Sequence, residues 1–461
     1  MSDSTPVKTS AKGWLVFIII FAYSITICMS WFSVPAPAIK YALSAGTFGS
    51  LTEIGTAMSA ISITALIMAF PAGWFIRKWG SRAIILVSML CGIVGTAICA
   101  AAGTTYPVYL AGRLIVGFGV GLCGVSCSTL ISLWIADIQK GLALALWGIW
   151  VPVGMLIVYN ASGPIISAVS GVSFSEFADV MFFVNHAGDS TASAVVGGID
   201  VVYWIIAALM IVELVLTFIF VHDPQKGETT EVSTERVPYS DPRVKATIKQ
   251  PRLWCLCVAW LAFNYTNMAF SNYLSNYIQM SGMGWASDAS LVSIVTSLIS
   301  ACGVLAPFFG IVYDKIQKNK KWLFIAFGSL GILLMACFGM RTWGTWSFVI
   351  YVIFQVLGNC MLVAGIRPYI PLIMGRGGAT AVAFGFACVT FLQQLGNTLA
   401  GVVYAYAAAA FSADPTMIDI AGLGTASWAV LVPVAAIGLI CTFFIRLPKQ
   451  PAETKQPNTA E

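Results

Sequence analysis

The chain has 461 residues, of which 59% are hydrophobic and only 9% charged, with a formal net charge of +5. A soluble domain carries about 25% charged residues, so this chain cannot cover a water-facing surface, and most of its exterior must meet lipid. That balance excludes a soluble globular enzyme and offers no basic face for a nucleic acid.

A bilayer core about 30 Å thick asks for about 20 apolar residues per crossing helix. Such stretches occupy 14–37, 48–72, 83–102, 106–133, 142–165, 201–221, 253–278, 289–312, 322–340, 346–374, 379–409 and 425–445, which makes twelve spans. Residues 1–12 are polar and the first apolar run is long enough to stay in the membrane, so no cleaved leader is expected. Lys40 and Arg341 fall in loops on one side, and Arg113 and Arg367 fall inside spans. The rest of the 24 Lys and Arg sit at the termini and in loops on the other side. Positive charge stays in the cytoplasm during insertion, which puts both termini there and makes this an integral plasma (inner) membrane protein. The long outer loop, about 166–200, contains Phe174, Phe177, Met181 and Val184 at helical spacing, a candidate interfacial helix. All twelve cysteines lie within spans and read as small hydrophobes rather than a disulfide framework or a zinc site.

One pattern repeats. Gly310, Asp314 and Lys315 follow Gly73, Arg77 and Lys78 at a constant offset of about 240 residues, and Gly121/Gly358, Gly148/Gly385 and Asn160/Asn397 keep that register. The chain therefore reads as two similar six-helix halves, 1–222 and 252–461, joined by a polar cytoplasmic linker at 223–251.

These residues resemble the major facilitator superfamily. The family's inner-loop motif is similar to Gly73-Trp-Phe-Ile-Arg77-Lys78-Trp79-Gly80-Ser81-Arg82, with a second copy at Gly310, Asp314 and Lys315. Arg113, Gly117 and Gly119 resemble its fourth-span motif, and Gly148, Pro152 and Gly154 loosely resemble an antiporter-associated motif in the fifth. The resemblance implies an all-α membrane protein of twelve helices in two pseudo-symmetric six-helix bundles, working by alternating access. It also implies that the first, fourth, seventh and tenth spans line a central cavity. Arg77 stands where the family has an acid that faces the start of the eleventh span. The implied inner gate is asymmetric, clamped only by Asp314 near the start of the fifth span, with Lys78 and Lys315 beside the two motif positions.

Charge at membrane depth is costly and marks function or a buried partner. Arg113 lies about 9 Å below the outer end of the fourth span and Arg367 about 10 Å above the inner end of the tenth. Each is either an anion-binding fork or a structural or gating residue. Glu213 in the sixth span and Glu53 at the outer end of the second are candidate coupling groups. No acid or base lies between Trp14 and Pro35 or between Leu253 and Met280, which disfavours a cationic solute. Near mid-depth lie Ser24, Trp150, Asn264, Tyr265, Gln355 and Asn359, with Trp31, Asn267, Gln393 and Gln394 slightly higher. Amides and hydroxyls in hydrocarbon need partners, so this set either lines a solute path or ties helices together. The candidate substrate residues are Arg113, Trp150, Asn264, Tyr265, Asn267, Gln355, Asn359, Arg367 and Gln394.

The expected function is secondary transport of a small organic solute, an organic anion, by a monomer that needs no cofactor, with a proton or an exchanged anion as coupling species. Rivals are an exporter of amphipathic compounds and a membrane sensor that binds without transport. His186 and His222 lie in loops on opposite sides, and no nucleotide loop or metal cluster suggests an enzyme. Arg77→Asp should restore the missing clamp and shift the resting population toward outward-facing. Labelling of crevice cysteines by an impermeant thiol reagent from outside should then rise, and unchanged labelling contradicts the asymmetric gate.

Overall fold

The computed structural model describes residues 9–32, 51–172, 190–224, 241–281, 283, 289–340, 344–374, 378–413 and 419–447. In chain order the helices are α1 (Ala11–Trp31), α2 (Leu51–Trp79), α3 (Ser81–Ala100), α4 (Tyr106–Trp134), α5 (Asp137–Gly148), α6 (Trp150–Ser170) and α7 (Ser190–Phe220). Within the linker lies α8 (Pro242–Ile248), and after it come α9 (Pro251–Met280), α10 (Ala289–Ser300), α11 (Ala306–Lys315) and α12 (Lys321–Phe338). The last are α13 (Thr345–Met374), α14 (Gly378–Leu399), α15 (Ala405–Phe411), α16 (Ile420–Ala426) and α17 (Val432–Thr442). No strand occurs among the described residues.

Eleven stretches among the described residues are long and apolar enough to cross a membrane. The eighth expected span, 289–312, is the one not among them and is broken: a 3-10 turn at Ala301–Leu305 separates α10 from α11, and Pro307, lacking an N–H, stands in the first turn of α11. The fifth span is also interrupted, at Ile149 between α5 and α6. α6 runs to Ser170 and α7 begins at Ser190, so the outer connection is shorter than 166–200. The amphipathic stretch at 174–184 and most of the linker lie outside the described residues.

Local chemistry sets several helix ends. The Ser10 hydroxyl accepts from the Gly13 N–H at 3.1 Å and caps α1. The Asp419 carboxylate caps α16, accepting from the Gly422 N–H at 2.6 Å and the Ala413 N–H at 3.0 Å. Those backbone donors hold the Asp419 carboxyl below its ordinary range. Gly80, at φ 91°, turns the chain from α2 into α3, a conformation that side-chain-bearing residues avoid.

The first six spans pack together, α1 against α4, α6 and α7, α4 against α2 and α3, and α3 against α7. In the second half α9 packs on α14 and α17, and α13 on α11 and α12. The halves meet along diagonals: α14 against α2 and α4, α5 against α11 and α13, α6 against α10. α1 and α9 make few or no close contacts with each other, and the same holds for α4 and α13. Toward the end that carries Lys78 and Arg82, here the basic end, the seam is filled by apolar side chains. Ala72, Ile76, Leu122 and Val125 cluster there with Ala387 of the other half, and Phe70 sits on Phe391, ring centroids 4.8 Å apart. The outer surface is apolar, with Phe218, Phe308, Phe327 and Phe444 more than 60% exposed, as lipid contact requires.

The repeat register is less strict than the matching glycines suggest. Gly121 lies against Ala65 of α2, whereas Gly358 lies against Ile332 of α12, so the two do not make equivalent contacts. Gly117 shows how close α2 and α4 come: a Cβ there would stand 2.5 Å from the Ile61 carbonyl oxygen. Gly117→Ala should therefore destabilise the protein by about 1–3 kcal/mol, the range for overpacking a filled interface. Gly197→Ala, where nothing lies within 4 Å, should not. Thermal unfolding of the detergent-solubilised variants distinguishes the two.

Candidate functional site

Arg367 comes from the last third of α13 and is 4% exposed. Its guanidinium lies 4.3 Å from the Trp147 ring centroid of the first half and 5.8 Å from that of Trp260 in the second. One Nη donates to the Gln393 Oε1 at 3.1 Å, and the Trp260 Nε1–H reaches the same oxygen at 3.4 Å. Among the described residues no carboxylate pairs with it; the Lys321–Asp314 ion pair, at 3.9 Å, is elsewhere. A buried ion loses several kcal/mol of hydration. A desolvated cation–π contact returns about 2 kcal/mol and a hydrogen bond from a charged donor about 1.5–3 kcal/mol. The cage therefore holds the cation without neutralising it.

Four helices, α5, α9, α13 and α14, supply the cage. The break at Ile149 ends α5 and turns Trp147 across the seam, where it stacks on Trp150 at 5.9 Å. The Trp147 Nε1–H donates to the Ser24 hydroxyl at 3.0 Å, which ties α5 to α1. Trp260 sits one turn before Asn264, whose Nδ2 donates to the Trp260 carbonyl at 2.7 Å. Of the other candidate substrate residues, Trp150 thus adjoins Trp147 and Asn264 adjoins Trp260, each beside a contact of Arg367. Gln394 turns away to accept from Asn397 at 3.4 Å, and its neighbour Gln393 makes the contact instead.

A second polar level lies about 12–24 Å farther along α13, at 1.5 Å per residue. There the Gln355 Nε2 donates to the Asn267 Oδ1 at 2.6 Å, while the buried Gln355 Oε1 and the Tyr265 and Tyr351 hydroxyls lack partners. The Asn359 Nδ2 points at the Cys302 Sγ, 3.6 Å away. Such orphaned groups are ready to take hydrogen bonds from a solute.

Arg113 is elsewhere. Its donors reach three backbone carbonyls, those of Ser30 at 3.0 Å, Trp31 at 2.9 Å and Ala57 at 3.2 Å, so it fastens the end of α1 to α2 and α4. Glu213 accepts from the Thr26 hydroxyl at 2.6 Å and keeps its second oxygen buried without a partner. The Glu53 side chain lies outside the described residues. Arg77 is half-buried, and Lys78 lies 5.3 Å from both the Trp74 and Trp79 ring centroids. The residues just before α14 that Arg77 would oppose are not among those described. The helix of Asp314 packs on α5 as expected, but its carboxylate pairs with Lys321; Lys315 is exposed.

Sequence reasoning missed Trp147, Trp260 and Gln393 as contacts of Arg367. The available signal was their spacing: Trp147 lies three residues before Trp150, Trp260 four before Asn264, and Gln393 next to Gln394, within one helical turn in each case.

A family model described as Major Facilitator Superfamily matches residues 16–400. Curated relatives include solute carrier family 2, facilitated glucose transporter member 10, from Danio rerio, 31% identical over 102 residues. That stretch is 22% of this chain and 20% of the relative. The same transporter from Xenopus tropicalis is 30% identical over 102 residues, 22% of this chain and 18% of its own length. The chain thus spans about a fifth of these relatives' length. Among solved structures, the E. coli fucose:proton symporter FucP is similar over 94% of this chain and 100% of its own, with a TM-score of 0.63 at 15% identity. FucP in the outward conformation gives 0.64 at the same identity, with 94% and 100% covered. At that identity the likeness shows the fold.

Arg113→Ala should cost about 1–3 kcal/mol by leaving buried carbonyls unpaired and so lower the melting temperature. The affinity of the folded fraction for its solute should stay within about twofold. A ligand-anchoring Arg113 would instead show its loss in affinity, read by isothermal titration calorimetry.

Proposed function

The chain belongs to the Major Facilitator Superfamily, and from that premise we propose that it is a secondary transporter of a small organic anion, with a carboxylate bound at Arg367. The single observation that carries this reading is the buried guanidinium with one hydrogen bond and no acid. A carboxylate is ionised at neutral pH and matches the arginine fork through two parallel hydrogen bonds. Trp147 and Trp260 offer ring faces to the organic part, and Trp150 and Asn264 extend the lining. Because Trp147 and Arg367 come from opposite halves, an anion that takes over the guanidinium loosens the contact holding the seam. The basic end is the cytoplasmic end, and the apolar seal there keeps the site from the cytoplasm in this conformation. A proton or an exchanged anion drives the cycle, and Glu213, with one orphaned oxygen, is the group placed to carry a proton.

A second reading is a neutral hydroxylated solute such as a sugar. It is favoured by the likeness to a facilitated glucose transporter and a fucose symporter and by the unpartnered Gln355 oxygen and Tyr265 hydroxyl. Uptake into proteoliposomes, with and without a pH gradient, tests both. The proposal expects carboxylates to be accumulated and hexoses not. Arg367→Ala should lose at least tenfold in uptake, and Arg367→Lys, without the bidentate fork, should recover only part. Hexose uptake that survives Arg367→Ala contradicts the anion reading.

A further inference from the structure

Two cysteines of the first half meet behind Trp147, with a third, Cys28, on the neighbouring helix α1. Cys123 and Cys127 stand one turn apart on the same face of α4, their sulfurs 3.6 Å apart. The Ser24 hydroxyl lies 3.6 Å from one sulfur and 3.7 Å from the other, and it is the same hydroxyl that receives the Trp147 N–H. Cys28 is turned away, its thiol directed at the Val151 carbonyl at 3.4 Å. All three are fully buried. Next along α4, Gly124 abuts Thr390 of the other half, so the pair sits at the level where the halves close.

The chemistry of this pair is narrow. A disulfide would need the sulfurs to close to about 2.05 Å, against the pitch of an intact helix. A structural metal site needs four ligands, and no group of three or more His, Cys, Asp or Glu that could hold a metal occurs among the described residues. A soft centre that needs two sulfurs fits. At a bond length of about 2.3 Å, that of a zinc–thiolate bond, the observed gap subtends about 100°, close to tetrahedral. Soft thiolates favour soft acceptors.

We propose that Cys123 and Cys127 form a dithiol site that captures a trivalent arsenical and thereby locks the transporter. Each thiol gives its proton to the arsenical oxygen, two As–S bonds form, the As–O bond breaks and one water leaves. Arsenic stays trivalent and no oxidant is required. The bridge thickens α4 beside Ser24 and Trp147, where the α5–α13 contact must loosen for the seam to open. The capture stands on the sulfur geometry alone; the lock rests on the transport reading.

Phenylarsine oxide on the full-length protein in proteoliposomes tests both parts. Mass spectrometry of wild-type protein should map one bridged adduct to the peptide carrying Cys123 and Cys127. Uptake should fall at least tenfold and return with 2,3-dimercaptopropanol but not with a monothiol. Cys123→Ser and Cys127→Ser should each abolish the bridged adduct and keep uptake in the reagent. Cys255→Ser, at a thiol that interacts with Cys441, should change neither. Where a serine variant does not fold, the adduct map of the wild-type protein decides. Wild-type protein with no bridged adduct at this peptide overturns the capture. An adduct there with uptake undiminished overturns the lock while leaving the capture standing.

Discussion

A guanidinium held in the membrane interior by indole faces and one amide, with no carboxylate beside it, is the constraint around which this molecule is arranged. Moving a cation out of water costs several kcal/mol. Trp147, Trp260 and Gln393 offset part of that cost, and the proposed anion would offset the rest. Trp147 belongs to the first half and the other three residues to the second, so the charge contact and the closure of the seam are one structural fact.

Two arginines at membrane depth illustrate how partners decide role. Arg113 and Arg367 are the same side chain at nearly equal burial, 3% and 4% exposed. Arg113 has spent its donors on the carbonyls of Ser30, Trp31 and Ala57 and acts as a rivet. Arg367 has one donor engaged and two aromatic faces beside it, and its fork remains for a ligand. Behind it, the chain of contacts from Trp147 through Ser24 to the Cys123–Cys127 pair carries the geometry of the cage into the first bundle.

Much of this was legible in the residues. Length and apolarity located the spans because hydrocarbon leaves the backbone no alternative to helix, and the inner-loop motifs with Arg113, Gly117 and Gly119 located the family. The helix breaks were not legible. Pro71, Pro164, Pro368 and Pro371 lie inside unbroken helices, whereas the fifth span turns at Ile149, where no proline stands. Partners were least legible. Gln393 and Gln394 are chemically identical neighbours, and only the rotation of α14 decides which meets Arg367. Asp314 had Lys321 within reach across a short turn, and that pair won over the more distant helix start. Cys123 and Cys127 read as small hydrophobes, because spacing alone does not reveal that their sulfurs point at each other.

The account depends on Arg367 and Trp147 acting as one site across the seam. A double-mutant cycle on carboxylate affinity, with Trp147→Ala, Arg367→Met and the pair measured by titration calorimetry, tests this most directly. Each single change should weaken binding at least tenfold, and the double variant should bind no more weakly than the worse single. Losses that simply multiply, or a Trp147→Ala variant with unchanged affinity, would show two independent residues and contradict the shared site.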